Sequence, residues 1–264
     1  MKKIIKYCYI LIFLGIYFLY KLSILSYSKD SITFLNVGNG DSILLKSNDK
    51  LLLIDGGTSS YSLNNLYKYT NYHMPSSFII SHPHLDHLSG LIPILNHRST
   101  FYDIYVPKNL VTSKSLNRYF YNLSTNNFKT LLKGDIIYVG NFKLSVLWPE
   151  ATCDNKDLNY CSLVLLIYHK NIPVLIDLSD VPKDVQNNLS HQVDGVDIIK
   201  VPHQGADNSL NQNFIKKNKP KYAVFSVGKN SYGHPHSQVL EYYKSIGTQI
   251  KRTDEAGDIT FYFK

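Results

Sequence analysis

Short apolar runs, each bounded by Gly, Asn or Asp, recur along the chain from residue 30 onward. Ile32–Val37, Ser42–Lys46 and Leu51–Ile54 read as strands, and Ser77–Ile80 as a short buried one. Phe101–Val106 is a further strand. Asp135–Tyr138 with Phe142–Leu147, and Ser162–His169 with Pro173–Leu178, read as two hairpins. Asp197–Val201, Tyr222–Val227, Gln249–Thr253 and Ile259–Phe263 complete the strand pattern. Helical spacing falls at Ser62–Thr70, Leu88–His97, Ser113–Leu123, Lys183–Ser190, Gln212–Lys217 and Ser237–Ile246. Two series of hairpins with helices between them predict an α/β (α+β) chain with two sheets and helices on their outer faces. No internal repeat or Pro/Gly/Ser linker divides residues 30–264, which read as one domain.

Residues 1–28 have a different pattern. Lys2, Lys3 and Lys6 precede an uncharged apolar and aromatic run from Tyr7 to Tyr20, which resumes after Lys21 and ends at Tyr27. As a helix this run is about 30 Å long, close to the thickness of a bilayer core. Lys21 lies near one end and can snorkel. Lysines before the span place the N-terminus in the cytoplasm and the remainder outside. The expectation is an N-terminal transmembrane helix. The alternative is a cleaved signal peptide and a secreted product, with Ser26-Tyr27-Ser28 in place of an A-x-A-like site.

Composition changes the picture in three places. The formal charge is +8, from 28 Lys+Arg against 20 Asp+Glu, but four of the lysines lie in the first 28 residues. What remains is only mildly basic, which is weak support for a nucleic-acid groove. Cys153 and Cys161, eight apart, can form a disulfide outside the cell or remain two thiols. Six of the ten histidines fall in three short segments.

The densest segment is Ser81-His82-Pro83-His84-Leu85-Asp86-His87, directly after an apolar strand. In extended backbone His82 and His84 share a face and can reach one metal, while Asp86 and His87 can turn toward a second. Imidazole with carboxylate suits Zn²⁺, Mn²⁺ or Fe²⁺. Asp180 follows the strand Val174–Leu178, where a carboxylate can bridge two cations; Asp177, inside that strand, is the neighbouring alternative. His203 follows Asp197–Val201, with Gly205 allowing a tight turn. His234 and His236 flank Pro235 just before a helix. A histidine there can protonate a leaving alkoxide or hold a phosphate oxygen; the plainer reading of His236 is packing at the helix start.

The motif His82-x-His84-x-Asp86-His87 resembles the signature of metallo-β-lactamase-fold hydrolases. The wider pattern is similar to the extracellular domain of ComEC-type competence proteins. Phe34–Ser42 resembles that branch's FLDVGQGDS, and Ile54-Asp55-Gly56-Gly57 follows in order. Asn159–Leu165 resembles NxxSLVL, Lys200–Gly205 resembles KVPHHG, and Ser226–His236 resembles the last motif.

The resemblance implies an αββα sandwich with the site at one edge of the two sheets. It implies two divalent cations, Zn²⁺ or Mn²⁺. One is held by His82 and His84, the other by Asp86, His87 and His203, with Asp180 bridging. Asp55 is then a carboxylate that orients a ligand, or simply a turn residue ahead of Gly56-Gly57. There are departures. Asp157-Leu158-Asn159 stands where many relatives have a histidine, leaving the first metal to be completed by Asn159 or water. Gln204 replaces the second histidine of HHG, Asn36 an aspartate, and Ser179 a glycine.

Such a centre hydrolyses esters, lactams and phosphodiesters alike. The second histidine cluster, with Lys229 and Asn230 near it, favours a phosphate ester. The expected function is a dinuclear metal-dependent phosphodiesterase or nuclease acting on DNA or another phosphodiester outside the membrane, with Asp86 and His234 in catalysis. Asp55, Asn159, Gln204, Asn230 and His236 are expected to support the ligands or the substrate. The alternatives are hydrolysis of a small ester, lactone or phosphocholine-type envelope substrate, and a non-catalytic accessory domain with a vestigial metal site. With one candidate span, the resemblance is not read as extending to DNA transport.

Overall fold

A computed structural model describes residues 7, 9–19, 29–59, 62–71, 73–98, 102–111, 114–153 and 157–264. Among the described residues, fourteen strands form two seven-stranded sheets. The first has the order β14-β1-β2-β3-β4-β5-β6: β1 Asp30–Phe34, β2 Ile43–Ser47, β3 Lys50–Ile54, β4 Ser77–Ile79, β5 Asp103–Pro107, β6 Phe128–Leu131 and β14 Ile259–Phe263. The second has the order β13-β12-β11-β10-β9-β8-β7: β7 Ile136–Val139, β8 Phe142–Trp148, β9 Val164–His169, β10 Ile172–Asp177, β11 Ile198–Lys200, β12 Tyr222–Phe225 and β13 Gln249–Arg252.

The pairing pattern repeats although the sequence does not. From β14 the first sheet is antiparallel as far as β3, then parallel to β6. From β7 the second sheet is antiparallel as far as β10, then parallel to β13. The hydrophobic pattern explains the stacking. Along β2, Ile43 and Leu45 enter the core between the sheets, while Leu44 packs under the helices of the first sheet. Along β9, Leu165 and Ile167 face the same central core, and Val164 and Leu166 face the helices of the second sheet. Strands buried on both faces read as continuous apolar runs rather than alternating ones. The two sheets flanked by helices match the expected layering.

The details correct several boundaries. The helix expected over Leu88–His97 is two helices, Leu85–Leu88 and Leu91–Arg98. The break falls at Gly90, whose N–H donates to the Gly57 carbonyl and whose hydrogen-only side lets it approach the Gly56 backbone; a Cβ there would lie 2.0 Å from the Gly56 oxygen. The first helix thus carries Asp86 and His87 within the histidine motif. The helix expected over Ser113–Leu123 is shorter, Lys114–Tyr119, and a separate short helix, Lys108–Val111, and the strand β6 were not expected at all. The two C-terminal strands part company: β13 joins the second sheet and β14 closes the edge of the first beside β1. Cys153 and Cys161 form a disulfide.

Residues 9–19 are helical, with Tyr9, Leu11, Phe13, Ile16, Phe18 and Leu19 exposed. No helix among the described residues is long and apolar enough to cross a membrane. Lys2, Lys3, Lys6, Cys8, Lys21 and Ser26-Tyr27-Ser28 lie outside the described residues.

Candidate metal centre

The site lies where both sheets change from antiparallel to parallel pairing. Chain leaving β3 carries Asp55, and chain leaving β4 carries Ser81 to His87. The equivalent strands of the second sheet, β10 and β11, lead to Asp180 and His203. Carboxyl ends of strands are where an open sheet presents loops to a ligand. Four residues here hold left-handed backbone: Asp55 (φ 57°), Ser179 (φ 43°), His203 (φ 51°) and Gln204 (φ 51°). Each such non-glycine residue costs on the order of 1 kcal/mol or more, a strain that folds keep where it aims a side chain. Gly40 brings the loop after β1 against the motif: a Cβ there would lie 2.2 Å from the Asp86 carbonyl, which also accepts from the Asp41 N–H.

A relay beginning at Asp55 sets both buried histidines. Its Oδ1 accepts from the Ser81 N–H at 2.8 Å, and its Oδ2 accepts from Ser81 Oγ at 2.5 Å and from His87 Nδ1 at 2.7 Å. Because the single Ser81 hydroxyl proton goes to a carboxylate, which only accepts, Ser81 Oγ accepts in turn from His82 Nδ1 at 3.0 Å. Both imidazoles therefore have Nδ1 committed and Nε2 turned inward. His87 Nε2 is 3.3 Å and His82 Nε2 3.7 Å from the same atom, Asp180 Oδ2. His84 Nδ1 is 3.1 Å from His82 Nε2, and Asp86 Oδ2 is 3.8 Å from His87 Nε2.

Electrostatics fit this arrangement to a cation. Burial, together with the charge on His87, holds His82 well below its ordinary value, which favours a neutral ring. Burial also pulls on His87, but Asp180, Asp55 and Asp41 outweigh it and push the ring well above its ordinary value. Burial would raise Asp180, yet His87, Lys200 and His82 hold it well below the usual carboxylate range. The pocket thus favours positive charge at His87 Nε2. Asp180 Oδ1 is buried and accepts no hydrogen bond among the described residues. Nitrogen and oxygen donors with an orphaned carboxylate oxygen fit a divalent cation.

These groups open onto a cleft of about 1100 Å³. Asp180, His84, Asp86 and His203 line it, as do Asn159, Gln204, Asn230 and His234. All six expected ligands are therefore brought together. Buried atoms without a partner among the described residues include Asn159 Oδ1, Gln204 Nε2 and His234 Nδ1. The His203 and His234 rings lie 5.5 Å apart. Burial, with His203 and His236 nearby, lowers His234 from its ordinary value.

Three further positions have specific surroundings. Asn230 spends its amide on the loop: Nδ2 donates to the Gly228 and His234 carbonyls, and Oδ1 accepts from the Tyr232 and His234 N–H groups. It holds His234 in place and is not a free substrate contact. His236 stands behind His234, with rings 5.4 Å apart, at the start of the Ser237–Ser245 helix, and does not line the cleft. Asp177 does not line the cleft; it accepts from the Ser179 N–H at 3.0 Å, and burial pushes its carboxyl up to about 6.

Sequence reasoning did not single out Asp41, Lys200, Tyr119 or Tyr232. The last two line the cleft. Lys200 has a legible signal, a lysine between Ile199 and Val201 in an apolar strand, which needs a buried partner.

The family model described as the metallo-beta-lactamase superfamily matches residues 35–100. Igni18, a metallo hydrolase from Ignicoccus hospitalis, superposes with a TM-score of 0.61 at 12% identity, covering 89% of this chain and all of its own. The chain has the metallo-β-lactamase fold. It also resembles ComEC-like competence proteins. ComE operon protein 3 of Bacillus subtilis is 25% identical over 90% of this chain and 33% of its own length. Recombination protein 2 of Haemophilus influenzae is 23% identical over 87% and 28%. The chain thus spans about a third of the curated relatives it matches.

Proposed function

We propose that residues 30–264 form a dinuclear, metal-dependent hydrolase of phosphodiesters, DNA among them, held outside the membrane by the N-terminal segment. The observation that carries the reading is that His82 and His87 converge on Asp180, while Asp180, His84, Asp86 and His203 line one cleft. In this reading His82 and His84 would hold one cation and Asp86, His87 and His203 the other, with Asp180 shared between them. Two cations such as Zn²⁺ or Mn²⁺ supply a hydroxide near neutral pH and neutralise charge on the phosphate. The protein's own part is to orient. Asp55 and Ser81 point both Nε2 atoms inward, and Asn230 holds the loop that offers His234 to a phosphate oxygen or a leaving alkoxide. Lys229 at the cleft wall adds positive charge where an anionic ester would lie. The names of the competence relatives support a DNA-related substrate, and the exposed apolar side chains of residues 9–19 support membrane attachment.

The test uses the full chain in detergent. Elemental analysis should find close to two equivalents of Zn²⁺ or Mn²⁺. Bis-p-nitrophenyl phosphate, single- and double-stranded DNA, and a nitrocefin-type lactam are assayed side by side. Turnover of phosphodiesters that disappears in His82→Ala/His84→Ala supports the reading; activity on the lactam alone rejects it. N-terminal sequencing from the membrane fraction separates an anchor from a cleaved signal.

A further inference from the structure

His87 faces carboxylates from both ring nitrogens. On the Nε2 side are Asp180 Oδ2 at 3.3 Å and Asp86 Oδ2 at 3.8 Å. On the Nδ1 side are Asp55 Oδ2 at 2.7 Å and Asp41 Oδ2 at 3.8 Å. Each side completes a trio whose ligand atoms lie within 4.8 Å of one another: His82, His87 and Asp180 on one, Asp41, Asp55 and His87 on the other. Both trios carry the donors a divalent cation takes. They are not equally useful. Asp180 and Asp86 line the cleft, whereas Asp41 and Asp55 are buried behind it. A metal on the Nδ1 side would be out of reach of substrate and would break the Asp55–His87 hydrogen bond.

One residue separates the two sides. Lys200 is fully buried at the end of β11, paired in register with Asp177 of β10. Its ammonium contacts Asp41 Oδ2, donates to the Ser179 carbonyl at 2.8 Å and lies 3.7 Å from Asp180 Oδ1. The other Asp41 oxygen, Oδ1, is buried and has no hydrogen-bond partner among the described residues. Asp41 is thus a carboxylate with Oδ1 unpartnered among the described residues and Oδ2 held by Lys200, with His87 Nδ1 farther off at 3.8 Å.

We propose that Lys200 is a built-in cation that closes the Nδ1 side of His87 to metal and so confines divalent ions to the cleft side. This rests on the metal-dependent reading above. Lys200 is a positioning residue: it neutralises Asp41, and through the Ser179 carbonyl it steadies the residue before Asp180. Without the ammonium, Asp41 and Asp55 would present two carboxylates beside an imidazole nitrogen, a set that attracts Zn²⁺ or Mn²⁺ in its own right.

The experiment counts metal in the full-length protein by elemental analysis after desalting and records Co²⁺ absorption spectra. Lys200→Met should take up about one equivalent more than the wild-type protein and add a component to the Co²⁺ spectrum. Asp41→Asn/Lys200→Met should return to the wild-type count, because the rival donor is gone and both buried charges are removed together. Lys200→Gln carries the same expectation if the methionine variant does not fold. An unchanged count and spectrum in the Lys200 variants overturn the proposal even if stability falls, and so does an extra equivalent that persists in the double variant. Wild-type protein that binds no metal overturns the underlying reading, and this proposal with it.

Discussion

Asp55 Oδ2 lies 2.7 Å from His87 Nδ1, and the same carboxylate, through Ser81 Oγ, also sets the ring of His82. One buried side chain, held in left-handed backbone at φ 57°, therefore orients two imidazoles on the following strand's loop. Partners that orient ligating histidines are typically worth about 10–100-fold in metal affinity. Asp55→Asn keeps the shape but cannot accept from both His87 and Ser81 on the same footing. It should weaken Zn²⁺ binding about 10–100-fold, measured by competition with a chromophoric chelator. Wild-type affinity in a folded Asp55→Asn protein would remove Asp55 from this role.

Asn230 makes four hydrogen bonds that shape the Gly228–His234 loop. Asn230→Ala leaves these backbone groups without their partner, at a cost of about 1–3 kcal/mol. It should lower kcat for a phosphodiester while the metal content stays at the wild-type value. A fall in metal content would instead place Asn230 with the ligands.

The Cys153–Cys161 disulfide closes a loop that brings Leu158 and Asn159 to the cleft wall. Closure of so short a loop stabilises by about 2–3 kcal/mol in the chain-entropy account. Cys153→Ser/Cys161→Ser should lower the unfolding free energy in urea by that amount. It should also raise KM more than it lowers kcat, since the loop then keeps hydrogen bonds such as Trp148 Nε1 to the Tyr160 carbonyl at 2.6 Å but loses its covalent closure. If KM is unchanged, the loop does not shape substrate binding.

Far from the centre, Asp30 Oδ2 accepts from His169 Nε2 at 2.7 Å and from Asn141 Nδ2 at 2.8 Å, tying β1 to the opposite sheet. Burial raises the Asp30 carboxyl, but hydrogen bonds from Asn141, His169 and Ser47 outweigh it and hold it below the ordinary 3.8. A carboxyl depressed by folding stabilises above its unfolded value, and that contribution is lost as pH falls through the folded value. The stability gap between wild type and Asp30→Asn should thus be steady above about pH 5 and shrink below about pH 4. Urea titrations across that range check it; a gap independent of pH would count against the assignment.

Part of the centre was legible in the chain. His82, His84, Asp86 and His87 lie within six positions, so local backbone geometry alone brings them close. Asp180 and His203 were recognisable as polar residues just beyond apolar strands, which is where a sheet delivers side chains to a common edge. Whether Asn230 and His236 support a ligand or touch substrate was not legible, because proximity in sequence does not tell whether an amide is already spent or a ring stands in a second row. The Asp41–Lys200 pair escaped because its partners are 159 positions apart: Lys200 in its apolar strand signals that a buried partner is needed, but not which one until β1's loop and β11 meet.

By itself the sequence determined every strand except β6, most of the helices and the histidine motif, since periodicity and short spacing act over a few residues. Tertiary structure alone decided that β13 and β14 go to opposite sheets, that the helix after the motif breaks at Gly90, and which nitrogen of His87 faces the cleft. The physical reason is shared: each depends on backbone pairing or close approach between segments far apart in the chain, such as Gly56 with Gly90 or Asp41 with Lys200. No local pattern records which distant group will arrive to accept a hydrogen bond or balance a buried charge.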